Sequence, residues 1–227
     1  GECLHHDNGV LGAATFARAE ERRIEISKKA GFNSIRISHN PASRAMLEAC
    51  DRLGMLVMEE SFDTWTMPKR QFDYARDFAD NWERDVESIV NKDFNHPSVF
   101  MYSIGNEIRE AGTPVGSVMN RRIADKFREL DGSRFVTNAI NVLAGFGGKM
   151  GKTLEDMGVL EKGTIGENED INDIMTTLLD GMNRLSGHAV MQDRVRESAD
   201  SLDIVGFNYA RGCYEGNLRD YPNRIFY

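Results

Sequence analysis

Short apolar segments that suit buried strands alternate with longer amphipathic segments that suit helices along most of the chain. The clearest strand is Val99–Ile104, an apolar run with a β-branched residue at each end, which follows the turn-forming residues Asn95 and Pro97. Runs of this length and composition are typical of strands buried on both faces of a parallel sheet. The other predicted strands lie at Gly1–His6, Ser34–Ser38, Leu56–Met58, Phe135–Asn138, Ile204–Phe207 and, as a beginning, Arg224–Tyr227.

The intervals between these strands carry helix signals. Phe16–Ala30 is rich in Ala, Glu, Arg, Ile and Lys and is followed by Gly31, a residue that commonly ends helices. Ser43 is the expected N-cap of the next helix, and Gly54 its expected end. Three more helices are predicted around Trp82, Val86, Ile89 and Val90, around Met119, Ile123, Phe127 and Leu130, and over Ile171–Leu185.

The alternation of strand and helix with mostly short connections favours right-handed parallel crossovers. A dinucleotide-binding fold would carry Gly-x-Gly-x-x-Gly after its first strand, and this motif does not occur there. A length of 227 residues is common for an α/β barrel that forms one domain. We therefore predict fold class α/β, as a truncated (β/α)8 TIM barrel with about the first six to seven βα units present.

Composition and hydropathy argue against some classes of partner. A net charge of −8 argues against a nucleic-acid-binding surface and is compatible with a neutral substrate. Three widely spaced cysteines, Cys3, Cys50 and Cys213, predict free thiols. No run is long and apolar enough to span a bilayer, and no signal-peptide pattern opens the chain, so no membrane partner is expected. The chain starts at Gly1 without a methionine, which suggests a piece of a longer protein and leaves the cellular location open.

Polar side chains follow the predicted strands, at the positions where barrel enzymes carry their reactive groups. Carboxylates, amides, imidazoles and an indole together suit a polyhydroxylated ligand, because sugars need many directional hydrogen bonds and an apolar plate. Single residues also have structural explanations: Trp65 as a loop anchor, Glu59 as a salt-bridge partner, and His5–Asp7 as a solvated loop. The strand-end residues are His5, His6, Asp7, Arg36, His39, Asn40, Glu59, Glu60, Asp63, Trp65, Asn106, Glu107, Asn138, Asn141, Asn208 and Tyr209.

Glu107 is the leading candidate for catalysis. It stands at the carboxyl end of the Val99–Ile104 strand, where a rigid element and partial burial would favour a proton-carrying carboxyl group. Such a group can act as a general acid. The alternative is an ordinary carboxylate that caps the following helix.

The motifs taken together resemble the catalytic barrel of glycoside hydrolase family 2, most closely its bacterial β-galactosidases, with β-glucuronidases in the same family. The resemblance covers nearly the whole chain, so residues 1–227 are predicted to form part of one catalytic barrel domain. It rests on Gly1–Asp7, Ile35–Pro41, Ser61–Asp63, Asn95–Val99, Ile104–Glu107 and Asn208–Tyr209.

The resemblance implies roles for individual residues. Glu107 matches the general acid/base, and Asn106 the residue that hydrogen-bonds the sugar 2-hydroxyl. Arg36 and Tyr209 match groups that position the nucleophile and stabilise its charge. The residues expected to contact the carbohydrate substrate are His5, His39, Asp63, Trp65, Asn106, Asn208 and Tyr209. Family enzymes retain anomeric configuration, which requires a second carboxylate about 5 Å from the first.

This chain departs from the family pattern at the nucleophile, which belongs at the end of the seventh strand, where the chain stops at Tyr227. We do not assign Glu59, Glu60, Asp63 or Glu215 to that role, and we expect the fragment alone to be inactive. No metal site is predicted, because Trp65 stands near the position of a metal-binding histidine in some family members. No cofactor is expected.

Two alternatives stay open from the sequence. One is a non-catalytic carbohydrate-binding barrel, and the other is a β-glucuronidase of the same family. An unfinished barrel would also leave unpaired strand edges, which predicts a homo-oligomer or strand exchange between chains. A monomer at all concentrations in gel filtration would contradict that last expectation.

Overall fold

Parallel strands form one sheet in which each strand pairs with the next one along the chain. The computed structural model describes residues 1–143 and 185–227, together with Gly181 and Asn183. The strands are β1 (Glu2–His5), β2 (Ser34–Ser38), β3 (Leu56–Glu60), β4 (Val99–Asn106), β5 (Phe135–Ile140), β6 (Ile204–Phe207) and β7 (Ile225–Phe226). The helices are α1 (Ala17–Lys29), α2 (Arg44–Leu53), α3 (Ala75–Asp93), α4 (Pro114–Leu130), α5 (Ala189–Asp200) and α6 (Tyr214–Asp220).

Within the described residues the sheet has seven strands, ordered β1 to β7, and every pairing between neighbours is parallel. Sequential parallel strands with intervening helices are the arrangement of a (β/α) barrel. The chain is thus a partial (β/α) barrel, which confirms the predicted fold class. All seven predicted strands are present. The third, fourth and fifth extend further at their carboxyl ends than predicted, because buried polar residues such as Glu60 and Asn106 continue the strands there.

Local signals explain where the predicted helices begin and end. The Ser43 hydroxyl accepts a hydrogen bond from the Met46 backbone N–H at 3.1 Å, which caps α2. Gly54 ends the helix in the left-handed conformation, at φ 68°, as glycine does most easily. Thr113 caps α4 in the same way as Ser43 caps α2, by accepting from Gly116 N at 3.1 Å.

The described helices differ from the prediction in three places. The polar segment predicted as loop up to Asp80 turns into α3 already at Ala75. Neither α5 nor the short α6 was predicted, although Met191, Val195 and Ala199 of α5 are buried at helical spacing. The predicted helix over Ile171–Leu185 lies outside the described residues except near its end.

The two faces of the sheet bury different sets of side chains. Val57 on β3 belongs to the large core between the sheet and the helices. Met58, the next residue, packs with Met101 and Ile204 in a separate small cluster on the opposite face, inside the barrel. Side chains alternate along a strand, so Glu59 faces the helices and Glu60 faces the barrel interior.

At each edge of the described sheet, the outermost strand has a neighbouring strand on one side only. Within the described residues, β1 pairs only with β2, and β7 only with β6. Self-association through these edges stays a prediction. Cys3, Cys50 and Cys213 are free thiols, as predicted. No helix in the described part of the chain has the length and apolar character needed to cross a membrane.

Candidate active site

Glu107 lies at the mouth of the partial barrel, directly after β4. Its backbone is left-handed, at φ 47°, a conformation that is uncommon for residues other than glycine and is often found at functional sites. Its N–H donates to the Ala139 carbonyl at 2.8 Å, which ties this turn to β5. Its carboxylate accepts two hydrogen bonds from amides: Asn208 Nδ2 donates to Oε1 at 2.9 Å, and Asn141 Nδ2 donates to Oε2 at 3.1 Å.

Asn106, the last residue of β4, links the strands at the mouth. Its Oδ1 accepts from Arg36 Nη2 at 2.8 Å and from Asn208 Nδ2 at 3.1 Å, and its Nδ2 donates to Asp63 Oδ1 at 2.8 Å. Arginine can only donate, so the Asn106 atom that faces Arg36 must be the oxygen. The Asn208 atom that faces the same oxygen must then be nitrogen. The orientation of both amides therefore follows from Arg36.

Glu60 is the buried acceptor at the centre of the same mouth. It is fully buried, at 0% exposure. It accepts from Arg36 Nε at 2.9 Å, from Arg36 Nη2 at 2.8 Å and from Ser103 Oγ at 2.7 Å, and its Oε1 lies 2.6 Å from His39 Nδ1. Burial works to lower the pKa of Arg36, but the charge and hydrogen bonds of Glu60 outweigh burial and raise it. Glu60 thereby holds both Arg36 and His39 in place.

Three aromatic side chains complete the mouth. The rings of His5 and His39 meet edge to face, with centroids 5.1 Å apart. Tyr209 follows β6, with a left-handed backbone at φ 55° and a side chain that is largely exposed. The charge of Glu107, and then burial, raises the pKa of the Tyr209 hydroxyl, while Arg36 works to lower it. The charges of Glu107 and Arg36 therefore both act on the Tyr209 hydroxyl.

The loop after β3 is fastened to the residues that follow β4. Lys69 Nζ lies 2.8 Å from Asp63 Oδ1 and donates to the Asn106 carbonyl at 2.7 Å. Arg109 donates to the Pro68 carbonyl at 2.7 Å. These contacts hold Asp63, which is half-buried, beside Asn106.

Trp65 is not part of the mouth, which corrects its prediction as a substrate contact. Its side chain is 0% exposed, and its Nε1 donates to the Ile104 carbonyl at 3.1 Å. The ring stacks near Phe78 of α3 at a centroid distance of 6.4 Å. The indole anchors the loop to the core, because burying its apolar area there while its N–H finds a backbone acceptor satisfies both parts of the side chain.

The structure thus brings Arg36, His39, Asp63, Asn106, Asn208 and Tyr209 together around Glu107, and His5 joins them through His39. Sequence reasoning gave no role to Glu60, Lys69 or Asn141. The strand-end positions of Glu60 and Asn141 can be predicted from the sequence, but the residues to which they form hydrogen bonds cannot. Lys69 stands inside a loop and carried no signal. Within the described ranges, no group of three His, Cys, Asp or Glu side chains is arranged to hold a metal ion.

The chain belongs to glycosyl hydrolase family 2. The family described as "Glycosyl hydrolases family 2, TIM barrel domain" matches residues 3–181. This confirms the family predicted from the motifs.

Individual relatives agree with this assignment. The chain is 53% identical over 110 residues to the beta-galactosidase BoGH2A of Bacteroides ovatus, and that match covers 48% of this chain and 13% of the relative. It is 36% identical over 115 residues to a putative beta-glucuronidase of Formosa agariphila, covering 50% of this chain and 11% of the relative. The matches therefore span only a small part of these curated relatives.

Solved structures match over nearly the whole chain. A family 2 glycosyl hydrolase from Bacteroides cellulosilyticus is similar with a TM-score of 0.74 and 38% identity, over 99% of this chain and 23% of that chain. A beta-glycosidase from Bacteroides vulgatus is similar with a TM-score of 0.67 and 29% identity, over 100% of this chain and 22% of that chain.

Proposed function

We propose that the protein containing this barrel is a retaining β-galactosidase in which Glu107 is the general acid/base. The observation that carries the proposal is the Glu107 carboxylate itself, held by two amide donors at the barrel mouth, next to Asn106 and Tyr209. The similarity to a beta-galactosidase at 53% identity supports the substrate class. Residues 1–227 are proposed to be part of its catalytic barrel domain.

In the first step, Glu107 protonates the glycosidic oxygen while a second carboxylate attacks the anomeric carbon and forms a glycosyl ester. In the second step, Glu107 takes a proton from water, which attacks the same carbon and releases the sugar with its configuration retained. Asn106 would hydrogen-bond the 2-hydroxyl. Asp63, His5, His39, Asn208 and Tyr209 would line the sugar site.

The second carboxylate is the missing half of this mechanism among the described residues. Glu60 is buried, and its oxygens are occupied by Arg36, Ser103 and His39. Glu59 faces the helices, and Asp63 is bonded to Lys69 and Asn106. A nucleophile must be free to reach carbon, so none of these three suits the role. That residues 1–227 alone are inactive stays a prediction.

The proposal is tested on the full-length protein with 4-nitrophenyl β-galactoside and with an unactivated β-galactoside. Glu107→Gln should lower turnover of the unactivated substrate by about 10²-fold or more, because this substrate needs the acid most. With Glu107→Ala, added azide should restore turnover of the nitrophenyl substrate and form the β-galactosyl azide. Wild-type turnover that survives Glu107→Gln, or product of inverted configuration by NMR, would contradict it.

A β-glucuronide is the second candidate substrate, because several relatives are named as beta-glucuronidases or putative beta-glucuronidases. Parallel assays with 4-nitrophenyl β-glucuronide discriminate between the two. Binding of galactose without hydrolysis of either substrate would instead support a non-catalytic carbohydrate-binding barrel.

A further inference from the structure

The hydrogen bond between Asn141 and Glu107 has no role in the mechanism so far. Asn141 follows β5 and is half-buried, and its Nδ2 lies 3.1 Å from Glu107 Oε2. Its Oδ1 accepts the Leu143 backbone N–H at 3.0 Å. A backbone N–H can only donate, so the oxygen of this amide is fixed toward Leu143 and the nitrogen toward Glu107.

We infer that Asn141 is a positioning residue that holds the acid/base through its second oxygen and stabilises its charged form. The inference rests on the proposed function of Glu107. It concerns a residue that follows β5, whereas Asn106 and Glu107 lie at the end of β4.

The hydrogen bonds from the two amides suit one form of the Glu107 carboxyl group better than the other. A carboxylate accepts on both oxygens, and Asn208 and Asn141 donate one N–H to each of them. In a protonated carboxyl the oxygen that carries the hydrogen accepts more weakly, and neither amide nitrogen can accept that hydrogen. Both amides therefore favour the charged form, which is the form that exists once Glu107 has protonated the leaving group.

Asn208 and Asn141 differ in their other hydrogen bonds. Asn208 Nδ2 is shared between Glu107 and Asn106, so a change at Asn208 disturbs the 2-hydroxyl contact as well. The Asn141 amide uses its nitrogen for Glu107 and its oxygen for the Leu143 backbone N–H, and it has no hydrogen bond to Asn106. Asn141 is the better place to change the charge balance at Glu107 alone.

The substitutions at Asn141 leave the other ionisable side chains at the mouth unchanged. They are Tyr209 after β6, Arg36 and His39 on and after β2, Glu60 on β3, Asp63 after β3, Lys69 in the loop, Arg109 and Glu110 after β4, and His5 on β1. None of them forms a hydrogen bond with the Asn141 side chain in the described part of the structure.

The test is the dependence of kcat/KM on pH for an unactivated β-galactoside, measured on the full-length protein. Asn141→Asp keeps the oxygen that accepts from Leu143 and turns the group that faces Glu107 from a donor into a carboxylate oxygen. Two adjacent carboxylates hold a proton more tightly, so the alkaline limb should move to higher pH by about one unit or more. Asn141→Ala only removes the donor, and we expect a shift of about half a unit in the same direction.

Asn223→Asp is the matched control, because it makes the same chemical change at an exposed position before β7. Its alkaline limb should coincide with that of the wild type. If the limb stays in place or moves to lower pH in both Asn141 variants while Glu107→Gln is inactive, the inference is overturned and the proposed function stands. If Glu107→Gln keeps full activity, the proposed function itself fails.

Discussion

Two neighbouring carboxylates on β3, Glu59 and Glu60, are both fully buried but have opposite surroundings. Glu60 faces the barrel interior and accepts from Arg36 and Ser103 on both sides of its own strand. Glu59 faces the helices, where its Oε1 accepts from Ala42 N at 2.7 Å and from Lys92 Nζ at 2.8 Å. Its Oε2 is buried and has no hydrogen-bond partner among the described residues.

On the helix side of β3, burial disfavours the charged form of the carboxyl groups. Burial raises the pKa of Glu59, and Lys92 and Ala42 only partly oppose this. Lys92 also pairs with Asp93, whose pKa is raised to about 7 by burial and then by the charge of Glu59. Two carboxyls thus share one cation on the helix side. On the mouth side a single carboxylate has a full set of donors, so its charge is stabilised and can organise a site.

The largest expected effect comes from neutralising Glu60. Glu60→Gln would place an amide N–H against the Arg36 guanidinium and leave a buried cation without its partner. Removing one member of a buried ion pair costs about 3–5 kcal/mol of stability. We expect a fall of this size in the free energy of unfolding, measured with denaturant, and a loss of activity of about 10²-fold because Arg36 and His39 lose their anchor. Near-wild-type activity would show that Glu60 does not organise the mouth.

The second largest expected effect is a change with pH in the stability that Asp93 contributes. The pKa of Asp93 lies at about 7 in the folded protein against 3.8 as its reference value, so the folded state binds the proton more tightly. This contribution to stability is complete below pH 4 and is lost as the pH rises through 7. Asp93→Asn removes it, so the stability of the wild type relative to this variant should fall between pH 4 and pH 7, by on the order of 3 kcal/mol.

Denaturant unfolding of both proteins across this range measures the difference. Asp131→Asn is a useful control, because burial is outweighed at Asp131 by hydrogen bonds from Ser133 and Arg134, which lower its pKa. Its pH dependence should have the opposite sign, with stability lost as the pH falls. A difference between wild type and Asp93→Asn that does not change with pH would refute the assignment.

The smallest effect is expected for Glu59→Gln. The Gln oxygen can still accept from Ala42 and Lys92, and the substitution removes a charge that burial disfavours, while Lys92 keeps Asp93 as its partner. We expect stability within about 1 kcal/mol of the wild type and activity within about twofold. If this variant lost as much activity as Glu60→Gln, the two faces of β3 would not have the separate roles proposed here.

Much of the fold was predictable because its signals are local. The strand of Ile35 and Ile37 and the helix between Ser43 and Gly54 follow from residue type and spacing within about a dozen positions. The helix α5 carries a similar local signal, since Met191, Val195 and Ala199 recur at helical spacing and are buried. The error at Trp65 had a different cause, since an aromatic residue in a polar loop can face either a ligand or the core, and spacing does not distinguish them.

The sequence by itself determined that parallel strands would carry their polar residues to one rim, with Glu107 among them, because periodicity and strand order require only local information. The tertiary structure decided which of these residues touch. Arg36 meets Glu60 across 24 positions of sequence, and Asn208 meets Glu107 across 101. Such pairs depend on the register and curvature of strands far apart in the chain, which no local pattern encodes.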